Sequence, residues 1–257
     1  MTFKWHIPVL IIFTALAVTG CFRNDSVRPE NTNLNFVNVV SGESFSISIN
    51  GSQLVSALAY GDSTKTASGA PGLYQIEITP ANTTNAWING TLSLQSGAYG
   101  SMYLIPDSNS TAANSSNRAY YTIISNIAPI LPDTAVMKYA NVRFFHFSPD
   151  SLPVNITFVR LIGGIPSVLP QDTLYLFKNR SFNDQSVNSN VSVFSTIPAT
   201  NQYYKVVFTN AAIYPPTILY SIPQVHFADF GTYTLYVMGY RGATGAKALK
   251  TVNFPTQ

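Results

Sequence analysis

Residues 146–150 read His-Phe-Ser-Pro-Asp, which places an imidazole, a hydroxyl and a carboxylate within five positions. Such a trio could support nucleophilic catalysis if His146 converged between Ser148 and Asp150. On an extended strand His146 and Ser148 share a face, but Pro149 turns the chain and directs Asp150 outward. Ser-Pro-Asp is also turn chemistry: proline fixes φ, and Ser or Asp side chains bond nearby backbone N–H groups. The sequence therefore predicts a turn next to a strand, with His146 bonded to a neighbouring loop. The run Asn38-Val39-Val40-Ser41-Gly42-Glu43 holds the matching place in an internal repeat, with Asn38 where His146 stands. Asparagine can make a structural histidine's hydrogen bond but cannot shuttle a proton, which favours the structural role. Of this motif, His146 and Asp150 are the possible ligand contacts.

Other reactive combinations are sparse. Past the first twenty residues the chain has two histidines, His146 and His226, and no thiol besides Cys21. No pair has zinc-ligand spacing and no acidic run has the spacing of a calcium loop, so neither a metal nor any other cofactor is expected. Paired carboxylates for glycoside hydrolysis can come from separate strands. Here, however, the acids sit mostly in turn contexts such as Gly61-Asp62-Ser63, Pro106-Asp107-Ser108 and Pro132-Asp133-Thr134. No enzyme is expected. Tyrosines are plentiful, but most lie in alternating runs where packing explains them. Trp87, in Asn-Ala-Trp-Ile-Asn-Gly, is flanked by polar turn residues and is the aromatic singled out as a possible ligand platform.

The elements that must position these residues are strands. In Phe45–Ile49, Leu73–Ile78, Val154–Phe158, Tyr204–Phe208 and Tyr233–Val237, apolar or aromatic residues alternate with polar ones between Gly, Pro, Asn and Ser breaks. In the last run Tyr233, Leu235 and Val237 oppose Thr234 and Tyr236. Strands with one polar face belong to antiparallel sheets packed in pairs. Charged residues are only 10% of the chain against 13% aromatics, and the net charge is +3. The basic residues are scattered without a stripe, so no nucleic-acid partner is expected.

The runs recur in order. LNFVNVVSGESFSISI, GAPGLYQIEIT and LQSGAYGSMYLI are followed by VRFFHFSPDSLPVNITF, PATNQYYKVVFT and FADFGTYTLYVMG. Tyr74 and Tyr99 in the first set match Tyr204 and Tyr233 in the second, and the second copy carries an insertion within LIGGIPSVLPQDTLYLFKNRSFND. Two copies of one β domain are predicted: 33–128 and 141–257, with a proline-bearing linker at 129–140. The polar, low-complexity stretch 106–119 reads as a loop near the end of the first copy.

Cys21 is the sole cysteine, and it ends the most apolar segment of the chain. Lys4, the apolar core Ile7–Val18 and the small residues Thr19 and Gly20 form the three parts of a secretory signal peptide over 1–20. The core is shorter than the about 20 residues of a membrane span. Val18-Thr19-Gly20-Cys21 resembles the bacterial lipobox, which implies diacylation of the Cys21 thiol, cleavage before it and acylation of the new N-terminus. A single cysteine in an exported chain can form no internal disulfide, and several acyl chains at about 0.8 kcal/mol per buried CH₂ anchor firmly. Residues 21–32 are expected to be the lipidated cysteine and a polar tether. The expected location is the bacterial outer membrane, with either face open.

The phrases NVRFFHFSPDSLPVNI, GTYTLYVMG, INGSQLVSALAYGDST and PGLYQIEITPA resemble the DUF4397 family over most of residues 33–250. The first copy departs from the signature, with Asn38 for His146 and SGE for SPD. The resemblance implies immunoglobulin-like β-sandwiches in tandem on an exported, Bacteroidetes-type lipoprotein, and it supplies no activity. The fold class expected is thus all-β, two tandem antiparallel sandwiches. The function expected is a non-enzymatic adhesion, scaffold or interaction module whose partner is another envelope protein or a glycan. The alternative is a carbohydrate-binding accessory protein of a glycan-uptake system.

Overall fold

A computed structural model describes residues 30–114, 118–133 and 137–255. Cys21 and most of the expected tether lie outside these residues. The described chain is all-β, with no α-helix and four short 3₁₀ turns. Its first eight strands are β1 (Thr32–Asn38), β2 (Phe45–Ile49), β3 (Ser52–Leu58), β4 (Ala67–Gly69), β5 (Gly72–Pro80), β6 (Ile88–Leu94), β7 (Tyr99–Pro106) and β8 (Ala119–Ser125). They form two sheets, β4-β1-β7-β8 and β3-β2-β5-β6.

Nine more strands follow: β9 (Tyr139–Phe147), β10 (Val154–Ile162), β11 (Ile165–Pro166), β12 (Thr173–Arg180), β13 (Ser195–Pro198), β14 (Tyr203–Asn210), β15 (Ile218–His226), β16 (Thr232–Met238) and β17 (Lys250–Pro255). They give the sheets β13-β9-β16-β17 and β11-β10-β14-β15, with β12 also paired to β10. β9 starts at Tyr139, so the last two residues of the expected linker are strand.

The two halves share one topology, an immunoglobulin-like sandwich. β1 runs parallel to β7 and β9 runs parallel to β16, and every other pairing is antiparallel. The registers make the repeat exact at the residue level. Asn38 faces Leu104 as His146 faces Val237, and Val37 faces Tyr103 as Phe145 faces Tyr236. Tyr74 and Tyr204 occupy matching places, since each lies two residues before the partner of the third inward residue on β2 or β10. The other tyrosine landmark shifts by one: Tyr233 matches Gly100, because Val142 and Leu34 are their respective partners. Between β10 and β13 the second copy keeps β12, which pairs with β10 as β3 pairs with β2, and adds β11 and three 3₁₀ turns around it.

Alternation explains the outer sheets. On β2, β5, β10 and β14 the inward residues form the sandwich cores, around Phe45, Ile47, Ile76 and Ile78 in the first domain and Ile156, Phe158, Val206 and Phe208 in the second. The inner strands behave differently. β16 is buried on both faces, Thr234 and Tyr236 included, which corrects the reading of its sequence as half polar. β7 and β9 are likewise buried along nearly their whole length.

The cause is a third core. Val37, Val39, Tyr103, Ile105 and Ile124 from β4-β1-β7-β8 pack against Phe145, Phe147, Tyr236 and Met238 from β13-β9-β16-β17. The two sandwiches are therefore stacked sheet on sheet, four layers with three apolar seams. Parallel strand pairs sit in the two inner layers, where both faces are covered. Matching residues enter the middle seam from both domains: Val37 and Phe145, Val39 and Phe147, and Tyr103 and Tyr236 are equivalents by register, and the last pair is in ring contact. That is the self-complementary geometry of a two-fold dimer, held within one chain.

Candidate functional site

The His-Phe-Ser-Pro-Asp stretch does not assemble a catalytic triad. His146 is fully buried on β9, and its Nδ1 accepts a hydrogen bond from the Ser148 N–H at 3.3 Å. Its Nε2 lies 3.3 Å from the Leu152 carbonyl, which it can reach only as a donor in the tautomer that leaves Nδ1 free. Burial pushes its pKa down to about 4, so the ring is neutral at ordinary pH. The Ser148 hydroxyl makes no hydrogen bond to the ring; it is buried without a hydrogen-bond partner among the described residues. Asp150 faces away and accepts from the Arg241 N–H at 2.8 Å, tying this turn to the one after β16.

Asn38 performs the same task in the first domain. Its Oδ1 accepts from the Val40 N–H at 2.9 Å, two residues on, as His146 does from Ser148. Its Nδ2 donates to the Glu43 carbonyl at 2.8 Å and the Leu58 carbonyl at 3.0 Å. One geometry served by Asn or His requires no proton transfer. Trp87 is half-buried at the edge of the first core, edge-on to Phe45 with ring centroids 5.5 Å apart. Its backbone N–H bonds the Ile78 carbonyl. Trp87 lies at the first core, apart from His146 and Asp150, which fix one turn of the second domain.

Two features escaped the sequence reading. One is Arg143, which lies inside the seam at 1% exposure. Its Nε donates to Thr234 Oγ1 at 2.9 Å, while Nη1 reaches the Ser125 carbonyl and Nη2 the Asn126 Oδ1, both at 2.6 Å. Phe194 and Phe145 lie 4.4 and 5.0 Å from the guanidinium carbon. Among the described residues no carboxylate pairs with it, and burial lowers its pKa. Asn126 carries the network on to Ser101, and Ser101 to Asn35. By register Asn35 is the counterpart of Arg143. The charge thus belongs to the second copy alone, and it staples the two domains.

The other feature is a cleft of about 480 Å³ on the outermost sheet of the second domain. The outward residues of β10 and β14 form its floor, paired across the sheet as Asn155 with Thr209 and Thr157 with Val207. Tyr175 and Lys178 of β12 stand on one side, Pro216 and Ile218 on the other. No carboxylate lines it. Its size falls in the range of small-ligand sites. The matching face of the first domain is built otherwise. There Gln75 bonds Asn89 and Thr91, Gln53 bonds Ser46, and Glu77 is exposed, so the polar side chains largely satisfy one another. Among the described residues no cluster of three or more His, Cys, Asp or Glu could hold a metal ion.

Residues 32–157 match the family described as "Domain of unknown function (DUF4397)". The match spans the first sandwich, then β9, the Ser-Pro-Asp turn and the start of β10. No curated protein matches the chain. Among solved structures, a family 26 carbohydrate-binding module from Eubacterium rectale Amy13K in complex with maltoheptaose is similar at 10% identity and a TM-score of 0.24. That alignment covers 88% of this chain and 97% of that one.

Proposed function

We propose that this chain, which carries a DUF4397 domain over residues 32–157, is a non-enzymatic interaction module of the bacterial cell envelope. In this reading acyl chains on Cys21 hold it at the outer membrane, and the residues between Cys21 and β1 tether the fold. The observation that carries the non-enzymatic reading is the use of His146, Ser148 and Asp150 as turn fixings, with a neutral imidazole and a hydroxyl out of its reach. The docked pair of sandwiches supports a presenting role, because the seam joins them into one body with outer faces turned away from each other.

A second reading, a carbohydrate-binding accessory protein, is favoured by the cleft on β10 and β14, where hydroxyls and an exposed tyrosine ring meet. Two measurements test the proposal. Cells fed an alkyne fatty acid should label the wild type and not Cys21→Ala; equal labelling overturns the anchor. Purified full chain in mild detergent should bind isolated envelope fragments saturably; absence of saturable binding overturns the interaction module.

A further inference from the structure

From the cleft on β10 and β14 we infer that the second domain binds an acidic polysaccharide, a chain of hydroxyl-rich rings bearing carboxylates. The inference rests on the reading of the chain as an interaction module and names the ligand class. The floor presents the Thr157 and Thr209 hydroxyls, which have no hydrogen-bond partner among the described residues and can each donate and accept. Tyr175 stands beside them at 64% exposure, an aromatic wall of the kind that covers the apolar face of a sugar ring. The surface continues along β14 from Thr209 to Tyr203, which stacks on His226 with centroids 5.0 Å apart. Six residues at about 3.4 Å each give roughly 20 Å, the reach of an oligosaccharide rather than a single ring.

Charge selects the acidic class. Lys178 lines the cleft, and Lys205 lies on the same outward face of β14, opposite Val159. Neither forms an ion pair among the described residues, and no acidic side chain lines the cleft. A site for a neutral sugar commonly needs acceptors for ring hydroxyls, which a carboxylate supplies best. Here the charged groups are donors only. The matching face of the first domain carries Glu77 and self-paired amides instead, so the fold itself does not demand the lysines.

The test uses purified full chain in mild detergent with immobilised polygalacturonate and its fully methyl-esterified form, read by biolayer interferometry. Polygalacturonate should bind, and the ester at least about tenfold more weakly. Lys178→Glu and Tyr175→Ala, both at exposed positions, should each weaken binding about tenfold with unchanged melting temperature. Gln75→Ala, on the first domain, should change nothing. Equal affinity for the ester overturns the acidic class, and full binding by both cleft variants overturns the site. Single-stranded DNA bound as tightly as polygalacturonate overturns the polysaccharide. If envelope fragments still bind while polygalacturonate does not, the ligand class falls and the interaction reading stands. If neither binds, both fall.

Discussion

His146 shows how a catalytic residue type becomes a structural one. Two local bonds to the turn orient its ring within a fully buried site, and burial keeps its pKa at about 4, below the ordinary 6.5. Between those values the unfolded chain binds a proton that the folded chain does not. Stability is therefore complete above about pH 6.5 and falls as pH drops toward 4, by at most on the order of 3 kcal/mol. His146→Asn installs the residue that the first domain uses at this place. It should keep the turn while removing that acid-side loss. Urea unfolding at pH 7.5 and pH 5 should show a smaller difference between the two conditions for the variant than for the wild type. An identical difference would mean that the imidazole's protonation is not what acid acts on. This role was legible in sequence, because the repeat set Asn38 against His146. The unpaired Ser148 hydroxyl and the bond from Arg241 to Asp150 were not, since both depend on chain segments far away.

At the level of elements, the inner strands are the informative ones. β1, β7, β9 and β16 carry apolar residues at successive positions, as in Arg143-Phe144-Phe145-His146-Phe147, because each is covered on two sides. Alternation locates a strand with one wet face and underestimates one with none, so it sets Tyr236 on a polar face where the structure buries it. Arg143 is the exception within such a strand, a charge kept where its counterpart Asn35 is neutral. Removing it takes one donor each from the Asn126 Oδ1, the Ser125 carbonyl and the Thr234 hydroxyl beside the middle seam. Arg143→Ala should cost about 3 kcal/mol, from unsatisfied buried acceptors rather than from a lost ion pair. Chemical denaturation of this variant, of Asn126→Ala and of the double mutant checks it, since strong non-additivity is expected for directly bonded partners.

At the scale of the whole molecule the middle seam decides the behaviour. Tyr103 inserts from the first domain among Phe145, Phe147 and Tyr236, with centroids 5.6, 5.1 and 6.1 Å away. A contact of that kind couples two domains that could otherwise melt apart. Calorimetry of the wild type should show a single cooperative transition. Tyr103→Ala, which empties the centre of the seam at a cost of about 3–5 kcal/mol, should separate it into two. Two transitions already in the wild type would mean that the seam does not couple the domains. The stack also orients the molecule. It hides one face of each sandwich and leaves the outermost sheets as the broad surfaces open to a partner, one self-paired and polar, the other holding the cleft.

The sequence by itself determined the all-β class, the tandem repeat, the turn chemistry at Ser148-Pro149-Asp150 and the expectation of a lipid anchor at Cys21. These follow from local alternation, backbone preferences and the order of a few residues. Only the tertiary structure decided that the two domains are docked, that Arg143 joins them, and that β10, β12 and β14 enclose a cleft. Each of those arises where residues distant in the sequence meet. Pairing register across strands, and the covering of a second sheet face, come from packing the whole chain and leave little trace in any single stretch of it.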